Sequence, residues 1–320
     1  MGNMFSSTFF ISFFAIVEVL IPALIGFLSI KAGIVKAQLV DYLSELVINI
    51  TLPLMIFTHI IEEFSFSTLG YWWIFPLVSL GMIVTSYFLA EIVVKITKYN
   101  RNQLEFKTLV SFQNSGYLPL ALVSALLKKE EASLVMLYII FFLMGFNLVI
   151  WSWGVYAFRE KIEEKFSWMR LFSPPFLAVL FSLVLLPVKR IIPQIFLNPF
   201  RILGNTTVPL GMFIVGASLA NCKFGVKLEK EVFITVFLRL IVIPFFCLCF
   251  LYFLKIPPLI SFTILLESTM PSATSLVVIA NVYGGNREYI SQSIFLSHLI
   301  SLVTIPLFLS LFNIFFKVLP

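Results

Sequence analysis

Charge is scarce in this chain of 320 residues: Asp, Glu, Lys and Arg together make up only 12% of it. That is about half the fraction usual in soluble domains. Apolar residues make up 60% of the chain, and the mean hydropathy is +1.03. Such a chain has more apolar surface than one water-soluble core can bury, so both a soluble globular protein and a disordered one are excluded. The sequence therefore predicts an integral membrane protein.

Histidine and cysteine are also rare, with two and three residues in the whole chain. The sequence has no H-E-x-x-H motif and no nucleophile with a neighbouring base, which excludes the common intramembrane hydrolases. The cysteines lack metal-ligand spacing, so we expect no metal site. Because the catalytic motifs are absent as well, we expect no catalytic residues and no enzyme. A signalling receptor is disfavoured too, because the longest polar connection, residues 158–170, is too short for a soluble domain.

Long apolar stretches are abundant. A span with its connection takes roughly 30 residues, so the chain has room for about ten. Helices are expected throughout and strands are not, because a helix satisfies its own backbone in lipid. The apolar runs lie near residues 8–30, 39–61, 69–94, 104–127, 133–157, 172–188, 195–221, 231–254, 258–282 and 289–316.

Lys and Arg are distributed unevenly between the loops that join these spans. Fourteen lie on one side and seven on the other, with Arg239 inside a span. The positive-inside rule makes the richer side cytoplasmic, which places both termini on the outer face of the cell membrane. The net charge of +6 is then mostly a topology signal, and no nucleic-acid partner is expected.

An internal repeat organises the spans. Asn49–Phe57 and Asn205–Phe213 share the pattern N-x-T-x-P-L-x-x-F. Each half of the chain holds five spans, and because five is odd the second half must be inverted relative to the first. We predict a first repeat over 1–157, a connector over 158–171 and a second repeat over 172–320. Inverted repeats of this kind are typical of secondary transporters.

The fourth and ninth spans each carry a polar cluster that ends at a proline: Gln113–Pro119 in one and Glu267–Pro271 in the other. Proline removes a backbone donor and opens the helix. Backbone groups released inside a membrane are tolerated where they line a cavity or bind a ligand. The alternative is an ordinary pair of proline kinks in a helical bundle. Because the two kinks occupy corresponding positions of a repeat, we predict that the broken helices cross at Pro119 and Pro271 and form the transport site.

The candidate residues follow from this crossing. Asn49 and Asn205, in the repeated motif, are secondary candidates that either contact substrate or hold a kinked scaffold helix. Gly116, Pro119 and Pro271 are the predicted hinges. The candidate substrate-binding residues are Gln113, Asn114, Ser115, Ser268, Thr269, Ser272 and Thr274.

Ionisable residues inside spans need a reason, because each costs several kcal/mol, roughly 2.5–3.5 on insertion scales. Glu267, four residues before Pro271, is the candidate for cation or proton coupling, together with Asn114. The alternative for Glu267 is a structural role, as a buried carboxyl group that is neutral or paired with Arg239. His298 in the tenth span is a secondary candidate that either titrates or satisfies a neighbouring carbonyl.

At these motifs the chain resembles the auxin efflux carrier family, which includes the plant PIN and PIN-LIKES proteins and bacterial malonate or malate carriers. The segments that support the resemblance are Asn49–Phe57, Gln113–Leu120, Leu203–Leu210, Gly216–Ala220 and Met270–Thr274. The resemblance implies ten spans, with a scaffold from spans one, two, six and seven and a mobile transport domain from the other six. We also expect a homodimer formed through the scaffold.

One departure from the family's pattern limits which functional residues can be transferred to this chain. Many members place the proline seven residues after the asparagine, whereas Asn114 precedes Pro119 by five, which is closer to the PIN-LIKES form. The bile acid sodium symporters share the crossover design, with an asparagine and an acidic residue that hold sodium. Asn114 and Glu267 look similar to that pair.

The sequence thus predicts an alternating-access carrier of a small organic anion, auxin-like or a mono- or dicarboxylate, and we expect an efflux carrier. The alternative is a sodium-coupled symporter of the bile acid type. Sodium and protons are the candidate coupling ions, and no other cofactor is expected.

Overall fold

The computed structural model describes residues 2–66, 70–99, 101–158, 172–220 and 229–319. Over these ranges the chain is helical and contains no strand. Eight helices are long and apolar enough to cross a membrane, and two further spans are each divided into two short helices. The helices are α1 (Gly2–Lys31), α2 (Gln38–Glu63), α3 (Ile74–Thr97), α4a (Gln103–Ser111), α4b (Tyr117–Leu126), α5 (Lys129–Ala157), α6 (Pro174–Ile191), α7 (Gln194–Ala220), α8 (Lys230–Leu254), α9a (Pro258–Thr269), α9b (Ser275–Tyr283) and α10 (Arg287–Phe316). The predicted all-helical, polytopic membrane fold is confirmed.

Several spans depart locally from α-helical geometry. A π-turn interrupts α2 at Val47–Thr51 and another interrupts α8 at Leu238–Val242. Each precedes a proline, Pro53 or Pro244, in the first turn of the helix that follows. Because proline has no N–H to donate to the preceding turn, the local hydrogen-bond pattern must change there. The turn in α8 carries Arg239 into the protein interior.

The helices pack in two groups. In the first, α1 lies against the second half of α7, and α2 lies against α6 and the first half of α7. In the second, α3 packs on α5 and α4a, while α8 and α10 pack on α9a. α1 also contacts α10 and α4b, and so joins the groups. The predicted connector at 158–171 lies outside the described residues, apart from Phe158.

Close contact between α1 and α7 depends on glycine. A Cβ atom at Gly216 would overlap the backbone carbonyl of Ala23, and one at Gly26 would overlap the carbonyl of Phe213. Small residues let helix backbones approach in this way, which replaces the hydrophobic driving force that lipid does not supply. The second half of α7 is thereby held close against α1.

Candidate functional site

Two unwound segments cross in the interior of the protein, one between α4a and α4b and the other between α9a and α9b. We call residues 112–116 and 270–274 the crossover. The backbone N–H of Asn114 donates to the carbonyl of Pro271 at 2.8 Å, and that of Ala273 donates to the carbonyl of Phe112 at 2.9 Å. Gln113 and Ser272 lie opposite each other as an antiparallel bridge. The crossing segments thus satisfy part of each other's backbone, which makes a break tolerable at membrane depth.

The two prolines have different places in this crossing. Pro271 lies within its unwound segment, as predicted. Pro119 is the third residue of α4b, beyond the break, so the first crossing point is at Gln113 and Asn114 and not at Pro119. The physical reason is that proline fits the first turn of a helix, where its missing N–H would have no partner anyway. Gly116, the predicted hinge, is the N-cap of α4b.

Arg239 lies behind the crossover and is fully buried. Its guanidinium donates to four backbone carbonyls. Nε reaches Met270 at 2.9 Å, Nη1 reaches Val110 at 3.2 Å, and Nη2 reaches Ser268 at 2.8 Å and Glu267 at 3.4 Å. These carbonyls belong to the C-terminal ends of α4a and α9a, where helix dipoles place negative partial charge. One side chain therefore caps both half-helices.

Glu267 is also fully buried, in the last turn of α9a. The side chains of Ser115 and Gln113 lie next to its carboxyl group, and Arg239 is the opposite charge nearby. Neither carboxyl oxygen has a hydrogen bond of ordinary geometry, and the same holds for Ser115 Oγ and Gln113 Oε1. Buried polar atoms are normally partnered, and a proton on the carboxyl group of Glu267 would let these neighbouring oxygens bond to one another.

A cavity of about 100 Å³ lies in front of the crossover. The first residues of both second half-helices reach it: Gly116 and Tyr117 of α4b, and Thr274 and Ser275 of α9b. Neither N-cap residue makes a side-chain cap to its helix. The remaining lining residues are Ile48 and Leu52 of α2, Leu143, Phe146, Asn147, Ile150 and Trp151 of α5, Ser173 and Pro175 at the start of α6, and Gln113, Asn114, Ser115 and Ala273.

The structure brings four of the predicted binding residues to this cavity: Gln113, Asn114, Ser115 and Thr274. The amide nitrogen of Asn114 lies 3.3 Å from Nε2 of His298, whose Nδ1 lies 2.8 Å from the carbonyl of Ile294. With the proton on Nδ1, His298 donates to that carbonyl and accepts from Asn114. His298 thus both satisfies a carbonyl and holds a crossover residue.

The other candidates lie elsewhere. The hydroxyls of Ser268 and Thr269 donate to carbonyls three residues earlier in α9a, and the hydroxyl of Ser272 donates to Leu109 O at 2.8 Å. All three are buried and outside the cavity lining. Asn49 and Asn205 are exposed on α2 and α7 and do not reach it.

The cavity is also lined by residues that the sequence reasoning did not select, namely Asn147 and Trp151 of α5 and Tyr117 of α4b. Arg239, which the sequence suggested only as a partner of Glu267, supports the crossover from behind. A lone asparagine in the apolar fifth span was the available signal for Asn147. In the part of the chain that the structure describes, no group of three His, Cys, Asp or Glu residues could hold a metal ion.

The two helix N-termini bring positive partial charge to the wall of the cavity, which is the sign of charge that suits an anion. The buried hydroxyl of Ser115 adds a donor beside the carboxyl group of Glu267. Neutral polar groups of this kind can bind a carboxylate without a permanent counter-charge in the wall.

Comparison with known proteins agrees with this architecture. The chain is 27% identical over 301 residues to an uncharacterised transporter of Methanocaldococcus jannaschii, which covers 90% of this chain and 95% of the relative. It is 25% identical over 299 residues to an uncharacterised transporter of Methanothermobacter thermautotrophicus, with coverage of 91% and 95%. The membrane transport protein family matches residues 11–166 and 158–309. The chain therefore belongs to the membrane transport protein family, the family of the PIN-like auxin efflux carriers.

Proposed function

We propose that this transporter carries a small organic anion, auxin-like or a mono- or dicarboxylate, by alternating access. The observation that carries the proposal is the cavity at which two uncapped helix N-termini lie beside Ser115. Thr274, Asn114 and Asn147 supply further polar groups. The cavity volume of about 100 Å³ suits a small carboxylate or a few water molecules in this conformation.

The movement that we propose is a displacement of one helix group against the other. The scaffold consists of α1, α2, α6 and α7, and the transport domain consists of α3 to α5 and α8 to α10. The cavity supports this division because α2 and α6 form one wall while α4, α5 and α9 form the other. It lies on the side of the crossover where α5 ends and α6 begins, which is cytoplasmic in the predicted orientation.

Export fits the energetics of an anion. A monoanion that leaves a cell across 100 mV, inside negative, gains about 2.3 kcal/mol, so export needs no coupled ion. Import requires one. We propose that Glu267 then carries the coupling charge, because it is buried and lies beside Ser115 and Gln113, which line the cavity.

Sodium coupling of the bile acid symporter type is the second candidate. It is favoured by the four unpartnered oxygens of Glu267, Ser115 and Gln113, since hard cations prefer oxygen ligands. The two candidates differ in whether sodium or acidification strengthens anion binding.

We further propose a homodimer formed through the scaffold, in the cell membrane with both termini outside. Asn49 on α2, Asn205 on α7 and Glu18 in the middle of α1 are exposed, although each lies inside a span. Polar side chains are costly against lipid, so a second copy is the partner that would cover them.

The test is a thermal-shift screen of the purified full chain with malonate, malate and indole-3-acetate. A bound anion raises the melting temperature by mass action. Ser115→Ala should raise the apparent Kd of the stabilising anion about tenfold or more, because a hydrogen bond to a charged group contributes about 1.5–3 kcal/mol. Ser124→Ala is the matched control, since Ser124 is exposed at the far end of α4b. Equal Kd values in both variants would contradict the site.

A further inference from the structure

We propose that a groove between α3 and α8 binds an anionic phospholipid, with a hydrocarbon chain in the groove and the phosphate beside Lys255. The groove has a volume of about 720 Å³. Sites for small molecules typically measure about 300–1,000 Å³. Among the described residues, the groove shares none of its lining with the cavity in front of the crossover, so the proposal does not depend on the transported anion.

The walls of the groove differ in the size of their side chains. On α3, Gly81 and Thr85 are one turn apart, and nothing lies within 4 Å of the position that a Cβ atom of Gly81 would take. On α8, the facing wall is formed by Phe246, Phe250 and Phe253, whose spacing places them on one side of the helix. Small residues on one helix and large rings on the other leave a hollow between the two.

The groove faces the interior of the membrane. Both α3 and α8 are long and apolar enough to span a bilayer. The rings of Phe246, Phe250 and Phe253 are 62%, 63% and 78% exposed. Because the bilayer core contains no water, the material against these rings is hydrocarbon. A lipid chain is therefore the occupant that the membrane itself supplies.

The hydroxyl groups of Thr85 and Ser268, which line the groove, already have partners within the protein. Thr85 donates to the carbonyl of Gly81 at 2.8 Å, and Ser268 donates to that of Leu265 at 2.7 Å. A hydrocarbon chain leaves both bonds in place. A polar ligand would lose its own hydration and gain no free partner from these two groups, which disfavours it.

One end of the groove adjoins a basic recess at the membrane boundary. The recess, of about 300 Å³, is lined by Tyr252, Phe253, Lys255, Phe315 and Phe316, so it shares Phe253 with the groove. Lys255 follows the end of α8, and Lys317 follows the end of α10. None of the five lining residues is acidic. Aromatic and basic residues at the ends of spans suit the headgroup region, and two lysines favour an anionic headgroup over a zwitterionic one.

The experiment measures lipid binding to the full chain, purified in detergent and stripped of lipid. Native mass spectrometry gives the apparent Kd for dioleoylphosphatidylglycerol, which is anionic, and for dioleoylphosphatidylcholine, which is zwitterionic. The wild type should bind the anionic lipid more tightly. Lys255→Ala should weaken that binding about fivefold and leave the zwitterionic lipid nearly unaffected. Lys128→Ala, an exposed lysine before α5, is the matched control. Equal Kd values for the two lipids in the wild type would overturn the proposal.

Gly81→Phe tests the site for the hydrocarbon chain. The added ring fills the groove from α3 and should weaken binding of both lipids about tenfold or more, because several methylene groups lose their contacts. Val84→Phe is the matched control, since Val84 is exposed on the same helix and lies outside the groove lining. Unchanged lipid binding in a folded Gly81→Phe chain would contradict the site.

A photoreactive lipid gives a second measurement that needs only the wild type. Phosphatidylglycerol with a diazirine in its chain is bound and illuminated, and the labelled peptides are identified by mass spectrometry. The label should fall on Phe246–Phe253 of α8 and on the facing part of α3. Labelling confined to other spans would overturn the proposal.

Discussion

Glu267 and Arg239 are buried residues of opposite charge, and the carboxyl group of Glu267 is the member of the pair that can gain a proton. On the proposed role of Glu267, its ionised carboxylate and the negative partial charges of the two helix ends together exceed the charge of Arg239, so an approaching anion is repelled. When Glu267 takes up a proton, Arg239 balances the helix ends and that repulsion is lost. Proton binding and anion binding therefore favour each other, and thermodynamic linkage makes the effect reciprocal.

This coupling gives a residue-scale prediction. Anion binding to the wild type should strengthen as pH falls, by up to about tenfold per pH unit if one proton is taken up with each anion. Glu267→Gln resembles the protonated state and should bind with an affinity that is nearly independent of pH. The measurement is the apparent Kd from thermal-shift titration at several pH values. A Glu267→Gln chain that keeps the full pH dependence of the wild type would contradict the role.

A second prediction concerns the contact between Asn114 and His298. His298→Phe removes the acceptor at Nε2 and leaves a buried amide without its partner. The loss should be about 1–3 kcal/mol of stability, measured as a lower melting temperature. His298→Gln can restore an acceptor and should recover part of it. Equal losses in both variants would show that the imidazole acts through packing alone.

At this scale the sequence identified only part of the site. Gln113, Asn114 and Ser115 could be predicted because polar residues cluster before a proline in an apolar span. Ser268 and Thr269 were predicted on the same signal, yet their hydroxyls bond to their own helix, as Ser and Thr often do. The contacts of Arg239 could not be foreseen, because its carbonyl partners come from segments about 30 and 129 residues away.

At the scale of elements, the contact between α1 and α7 depends on the absence of side chains. Gly216→Ala places a methyl group on the backbone carbonyl of Ala23, and neither helix can yield without losing packing. Overpacking of this kind costs about 1–3 kcal/mol, so the melting temperature should fall. Gly81→Ala is the control, because nothing lies within 4 Å of its Cβ position on α3. It should be neutral or slightly stabilising, since alanine favours helix. Equal melting temperatures for the two variants would contradict the close approach.

The broken helices show which features of a helix can be predicted from sequence and which cannot. Their existence followed from paired prolines in a repeat, and the structure confirms both breaks. The position of the first break differs by several residues, because Pro119 fits the opening turn of α4b and does not itself interrupt the helix. A proline indicates that a helix is interrupted nearby, but backbone pairing with the other segment decides where.

At the scale of the whole molecule, hydropathy was sufficient to predict a polytopic, all-helical membrane protein, because lipid imposes a length on each span. The orientation is a further prediction. In a chain whose native cysteines are replaced by serine, Lys128→Cys, before α5, should react with a membrane-impermeant maleimide in intact cells. Lys98→Cys, after α3, should react only after permeabilisation. The reverse pattern would contradict the placement of both termini outside.

The central claim is that an organic anion crosses the membrane through the crossover. The direct measurement is uptake of radiolabelled malonate, malate and indole-3-acetate by proteoliposomes that contain the full chain, driven by a potential positive inside. The account predicts saturable uptake of at least one of these anions by the wild type and by Ser124→Ala, and a loss of about tenfold or more in Asn114→Ala. Wild-type uptake in Asn114→Ala, or no uptake of any of the three anions by the wild type, would contradict it.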